Sequence, residues 1–169
     1  MEDIETHPHA AFIPGNARVI IIGSFPGRDQ TMRPVTENDW FYGTKRNQFW
    51  KIISGVYETE LPGRAAKEAL FKKQGIAIAD IFLKIKRKDN NNMDSNLEVI
   101  EFNDKELLAV VNNVNIKRIL FTSRFVEKIF RQLFPAVTIG ECLPSPSPRY
   151  ARMSLQEKIN YYKLKLPAK

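Results

Sequence analysis

The 169-residue chain contains one cysteine and two histidines, and this scarcity excludes two kinds of site. A lone Cys142 forms no internal disulfide. Cys142, His7 and His9 together do not supply the four ligands, drawn mainly from Cys and His, that a structural zinc needs. Long apolar runs are also missing, none approaching the ~20 residues of a membrane-spanning helix. The opening stretch MEDIETHPHAAF is acidic and lacks the basic and apolar blocks of a signal peptide, so a cytoplasmic protein is expected. Residues 1–16 carry no periodic apolar pattern and are read as a loosely attached tail, its HPH triplet included.

What the chain has in excess is positive charge. Lys and Arg number 26 against 19 Asp and Glu, a formal charge of +7 and a pI near 9.5. That balance favours an anionic partner, nucleic acid first, although many soluble proteins are simply basic. A hydrophobic content of 43% and a charged content of 27% are ordinary for a globular protein. The length suits a single domain with its own core.

Four apolar runs read as strands: ARVIIIGSF (17–25), GIAIADIF (75–82), IKRILFTS (116–123) and AVTIGEC (136–142). Continuous apolarity marks strands buried on both faces. Helical patterns fall between them at 45–57, 62–73, 103–114, 123–134 and 154–166. The first places Phe49, Ile52, Ile53 and Val56 on one face, and the fourth does the same with Val126, Ile129, Phe130 and Leu133. Asn103 with Glu106, and Ser154 with Glu157, have the spacing of capping boxes. KIKRKDNNNMDSN (84–96) is polar and reads as loop. Buried strands alternating with amphipathic helices predict one three-layer α/β/α domain on a parallel sheet.

Such folds carry their working parts in the loops beyond the C-terminal strand ends, here 23–44, 80–102, 122–124 and 142–153. In the first, Gly23-Ser24-Phe25-Pro26-Gly27 is either a backbone cradle for an anion or polar ligand edge, or a tight strand-exit turn. It is not a Walker loop, because no Gly-Lys-Ser/Thr follows. FYGTKRNQFW (41–50) crowds four rings, two cations and two amides into ten residues. Thr44 is positioned to cap the next helix, which places Asn47 in its first turn, where an anion or polarised water is favoured. Asn47 serves equally well as a plain capping residue. Phe41 and Tyr42 either face a planar ligand or close the edge of the core. In the last loop, LPSPSPRYARMS (143–154), three prolines alternate with serines before Arg149, Tyr150 and Arg152. It is a rigid phosphate-gripping loop with a wedge at its tip, or a Pro-rich connector with a basic tail.

Together these stretches resemble the uracil-DNA glycosylase superfamily, and most closely its hypoxanthine-DNA glycosylase branch. IIGSFPG (21–27), FYGTKRNQFW (41–50), GIAIADIF (75–82), MDSNL (93–97), FNDKELL (102–108) and LPSPSPRYAR (143–152) occur in that family's order and spacing. The resemblance implies a four-stranded parallel sheet of order 2-1-3-4 and hydrolytic removal of a damaged base from DNA, without metal or other cofactor. It makes Tyr42 the ring that stacks on the flipped base and Asn47 a catalytic residue. Phe25 stands where other branches carry the Asp or Asn that handles water, and Leu143 where classical uracil enzymes carry His. Both replacements agree with the hypoxanthine-type branch. Thr44-Lys45 and Ser123-Arg124 depart from that branch's usual His-Pro or Asn-Pro and Asn-Gly.

The expected enzyme is therefore a monofunctional, monomeric DNA glycosylase acting on deaminated bases, hypoxanthine before uracil, in single- or double-stranded DNA. Asn47, the Phe25 backbone and Ser24 form its catalytic set. Gly23, Phe25, Pro26, Gly27, Tyr42 and Phe41 hold the base, and Arg46, Ser145, Ser147, Arg149, Tyr150 and Arg152 hold the DNA. Two other readings stay open: a binding module of the same fold without turnover, and a hydrolase of free nucleosides or nucleotides.

Overall fold

The computed structural model describes residues 3–169. A short strand β1 (Glu5–Thr6) precedes β2 (Val19–Gly23), all five residues of which are buried. β-Branched side chains suit a pleated surface covered on both sides. Alternation along β2 sends Ile21 into one core and Ile20 and Ile22 into another.

The strand pairs in parallel with β3 (Ile76–Asp80) on one side and β6 (Arg118–Phe121) on the other, and β7 (Glu141–Cys142) extends the sheet beyond β6. The spatial order β3-β2-β6-β7 is the 2-1-3-4 expected from the sequence. One face is covered by α2 (Phe49–Tyr57), α3 (Arg64–Gln74) and α6 (Leu155–Lys165), through Phe49, Ile52, Phe71 and Tyr162. The opposite face carries α4 (Asp104–Val111) and α5 (Arg124–Leu133), through Leu107, Val110, Val126 and Phe130. A single-turn helix α1 (Arg28–Thr31) lies in the first long loop.

A second, antiparallel sheet was not legible in the sequence. Residues 84–96, expected as loop, begin as strand: β4 (Phe82–Arg87) pairs with β1 and with β5 (Leu97–Phe102). The lysines and arginine of β4 disguise it, because only Phe82 and Ile85 point into the core while its polar residues are half-exposed.

Residues 3–16 are likewise no loose tail. Glu5, His7 and His9 are 3%, 9% and 7% exposed, and Phe12 bridges to Ile78 at the outer edge of the parallel sheet. The His7 ring accepts a hydrogen bond at Nδ1 from the His9 amide (3.0 Å), so its proton resides on Nε2, which donates to Asp80 at 2.7 Å.

The capping-box spacings fared differently. Ser154 and Glu157 form the reciprocal pair at the start of α6. Asn103 and Glu106 do not: Asn103 donates instead to the Asp80 carbonyl (3.0 Å), and the Glu106 carboxylate accepts from the Ala11 amide. Both side chains are drawn away by the N-terminal segment and the end of β3.

Burial, then the neighbouring His7 and Arg64, push the His9 imidazole down from 6.5 to about 4. Its neutral form is the one the fold accepts. Between pH 6.5 and about 4 the unfolded chain binds a proton that the folded chain refuses, so stability falls as pH is lowered through that window. The slope is at most about 1.4 kcal/mol per pH unit for one such group. Urea denaturation across this range is expected to reveal the decline, and His9→Phe to flatten it.

Candidate active site

Beyond the C-terminal ends of β2, β3 and β6 opens a cleft of about 640 Å3. Ser24, Phe25, Pro26, Gly27, Tyr42, Arg46, Asn47, Ser145, Ser147, Arg149 and Tyr150 all line it, although they come from three separate stretches. Gly23, Phe41 and Arg152, also expected at the site, are not part of its wall. Phe41 is 1% exposed, packed between the rings of His7, His9 and Trp40, while Arg152 lies exposed on the surface.

The loop after β2 is held through its carbonyls. Those of Gly23 and Ser24 accept from the amides of Ile81 (2.8 Å) and Phe82 (3.2 Å), and that of Pro26 from the Arg87 guanidinium (2.6 Å). With its carbonyls committed to β4 and its approach, the loop keeps its amides for a ligand, as a cradle requires. Its glycines are needed for space rather than for a left-handed turn; Gly27, for instance, has φ −67°. A Cβ on Gly23 would lie 2.1 Å from the Tyr42 hydroxyl, and one on Gly27 would lie 2.2 Å from the Thr44 methyl.

Tyr42 sits at φ +55°, a left-handed conformation that a bulky residue adopts only when its surroundings impose it. Those surroundings are visible. The ring stacks on Phe49 with centroids 4.1 Å apart and planes 20° from parallel, and the hydroxyl donates to Thr122 Oγ1 at 3.2 Å. Burial, with the nearby Asp80 carboxylate, holds the phenol well above its usual range, so it acts as a neutral donor. Tyr42 is thus anchored to the core through Phe49 and also lines the cleft.

The helix after this loop starts later than expected. Thr44 does not cap it: α2 begins at Phe49 with Gln48 at the N-cap, and Asn47 precedes the helix instead of lying in its first turn. Asn47 Oδ1 accepts from the Phe49 amide at 2.8 Å, a local side-chain turn, while the residue still lines the cleft. Turn-forming and cleft-facing roles are compatible here, since the bond uses the oxygen and leaves the Nδ2 donors.

The proline loop forms the facing wall. Pro146 accepts from the Gln48 amide (2.8 Å), Tyr162 donates its hydroxyl to the Pro144 carbonyl (2.7 Å), and Lys158 donates to Gln48 Oε1 (2.8 Å) and the Ser147 carbonyl (3.1 Å). Ser145 and Ser147 accept at Oγ from the amides of Ser147 (3.2 Å) and Arg149 (3.3 Å), which leaves each hydroxyl proton free to donate. Leu143, in contrast, is 3% exposed and belongs to the core, as an apolar residue at that position should.

Two carboxylates absent from the expected set also line the cleft. Asp80 ends β3, 5% exposed, with Oδ2 held by His7. Asp94, in the short turn Asp94–Asn96, accepts from the Ser24 hydroxyl at 2.7 Å. An acid closing the otherwise apolar run IAIAD was the available signal for Asp80. For Asp94 the available signal was the motif stretch MDSNL (93–97), which the resemblance marks without giving its acid a role.

The family model of the uracil DNA glycosylase superfamily matches residues 10–166. Among solved structures, the chain is similar to a candidate uracil DNA glycosylase from Methanosarcina acetivorans determined by solution NMR. The two share 22% identity over 96% of this chain and 98% of that one, with a TM-score of 0.69, a likeness of fold. No curated protein matches the chain. A parallel sheet in the order β3-β2-β6-β7, a cleft at its C-terminal edge and a family match over nearly the whole length agree with one another: the chain belongs to the uracil DNA glycosylase superfamily.

Proposed function

We propose that the protein is a monofunctional DNA glycosylase that hydrolyses the N-glycosidic bond of a deaminated base, hypoxanthine before uracil. The observation that carries this reading is the convergence of Tyr42, Asn47 and the Ser24–Gly27 loop with the serine- and arginine-bearing loop on one cleft. A target base must leave the helical stack to be reached, at a cost of a few kcal/mol, least for a mispaired base. Tyr42, backed by Phe49, offers that base a ring to lie on. The hydroxyls of Ser145 and Ser147 and the Arg149 guanidinium, all at the cleft, take the phosphates around it, contacts that position the strand without reading its sequence.

As the bond breaks, the sugar becomes oxocarbenium-like and the base departs with negative charge. Asn47 Nδ2 and the amides of the Ser24–Gly27 loop are the neutral donors available to that charge, and they act without reorganising. No lysine lines the cleft among the described residues, in keeping with hydrolysis by water rather than an imine intermediate. The burial of Leu143 where a polar residue operates in classical uracil enzymes favours the second reading, a binding module without turnover.

The assay that separates them is abasic-site formation on oligonucleotides bearing hypoxanthine, uracil, xanthine or a mismatched thymine. Excision of hypoxanthine in preference to the others is expected; binding without excision of any of them gives the module reading. Asn47→Ala is expected to cut single-turnover excision by roughly 10²-fold or more with little change in binding. Wild-type rates in that variant leave Asn47 a turn-forming residue only.

Tyr42→Ala is expected to weaken binding to a flipped or abasic-analogue site by about 1–3 kcal/mol, the usual value of base–aromatic stacking. Unchanged affinity accompanied by a lower Tm assigns the ring to the core alone. Arg149→Ala should weaken binding to any DNA and reduce the slope of log affinity against log salt by about one unit. A salt titration by fluorescence anisotropy measures both effects.

A further inference from the structure

The cleft holds two carboxylates, and the reading above uses neither. Hydrolysis nevertheless requires something to take a proton from the attacking water. Asn47 cannot do so, because an amide is not a base at any physiological pH, and Phe25 has removed the polar side chain that other branches place in the first loop.

The two acids differ in what already engages them. Asp80 is fixed at the end of β3, with Oδ2 taken by the Nε2 proton of His7 and with the Gly23 backbone closing over Oδ1 so tightly that a Cβ there would come within 2.6 Å of it. His7 itself is locked by the His9 amide and by the rings of Phe25 and Phe41. Asp80 is therefore held in place with a committed partner. Asp94 has one short bond, from the Ser24 hydroxyl to Oδ1, and among the described residues no hydrogen-bond partner on its second oxygen. It lines the cleft beside Ser24 of the loop after β2.

We propose that Asp94 is the general base of this cleft, accepting a proton from the attacking water, and that Ser24 is the positioning residue that orients its carboxylate. This rests on the glycosylase reading. The C1′–N bond breaks with its electron pair on the base, and the water oxygen bonds to C1′. One water proton passes to Asp94, and that proton then returns to the departed base anion directly or through solvent. The products are a neutral base and an abasic sugar, with Asp94 ionised again. Asp80, already engaged by His7, takes no part in the proton transfer.

The charged and titratable groups facing Asp94 are Asp80 from β3, Arg87 from β4 and Tyr42 from the loop before α2. Burial is the strongest influence on it and raises its pKa; Asp80 acts in the same direction, while the Ser24 bond and Arg87 oppose them. A base must be ionised to work, so excision falls as pH drops through that raised value, and removing the Ser24 hydroxyl moves the acid limb to still higher pH.

The test is single-turnover excision from a single-stranded hypoxanthine oligonucleotide across roughly pH 4 to 8, with circular dichroism at each pH as a fold control. Asp94→Asn keeps an acceptor for Ser24 and loses the base. It is expected to lower the rate by about 10²–10⁴-fold, with binding unchanged, and to abolish the acid limb. Ser24→Ala is expected to retain more activity than Asp94→Asn and to shift the limb upward, which also serves as the readout if Asp94→Asn does not fold. An acid limb that persists in Asp94→Asn, one that disappears in Asp80→Asn instead, or one that does not move in Ser24→Ala overturns the proposal. A wild-type protein that excises no base overturns the glycosylase reading itself, a result distinct from active protein with an indifferent Asp94.

Discussion

One guanidinium holds three segments of this molecule together. Arg87, on β4, pairs with Glu5 of β1 at 2.9 Å, both side chains being at most 4% exposed, and reaches the Pro26 carbonyl of the first loop. Its Nη1 also approaches the Asn91 carbonyl (3.4 Å), and its central carbon lies 5.9 Å from the centroid of the Phe25 ring. A buried ion pair adds little to net stability over a well-packed apolar substitute, yet losing one partner costs roughly 3–5 kcal/mol because the other charge is stranded. The consequence is geometric. The N-terminal strand, the Ser24–Gly27 loop and the 88–96 loop share one donor group, so one wall of the cleft is built as a unit.

The opposite wall has its own central cation. Lys158 is 1% exposed and its ammonium is satisfied by neutral oxygens of Gln48 and Ser147, with the Tyr150 ring 5.5 Å away. It ties α6 to the N-terminus of α2 and to the proline loop. Burial depresses its pKa, with no carboxylate among the described residues to offset that. Between two walls each organised by a buried cation, the strained Tyr42 is held from behind by Phe49 and Thr122. Strain of this kind is retained where the surroundings over-determine a conformation, which here is the floor between the two walls.

The parallel sheet was legible because its strands are covered on both faces and so carry an unbroken apolar signal, seen in VIII of β2 and IAIA of β3. The antiparallel sheet was not, because β4 alternates core and lysine at a spacing that resembles a charged loop. The cleft was partly legible. Tyr42, Asn47, Ser24 and the Ser-Pro loop stand out by residue type at a strand or helix boundary. Phe41 has the same composition signal as Tyr42 yet turns inward, since adjacent residues across a left-handed turn point in different directions. Ring count alone does not say which of the two faces the cleft.

Legible in the residues alone were the layer architecture, the strand order through the family motifs, the basic character and most of the loops that meet at the site. These follow from local periodicity and from residues whose chemistry is independent of their neighbours. Only the tertiary structure decided that His7 and His9 are interior, that the Asn103–Glu106 spacing makes no cap, and that Asp80 and Asp94 enter the same cleft. Each of those outcomes depends on a partner far along the chain: His7 on Asp80, Glu106 on Ala11, Asp94 on Ser24. A polar side chain is satisfied by whichever donor or acceptor the fold brings within about 3 Å, and that choice is made by packing, not by the residues beside it in sequence.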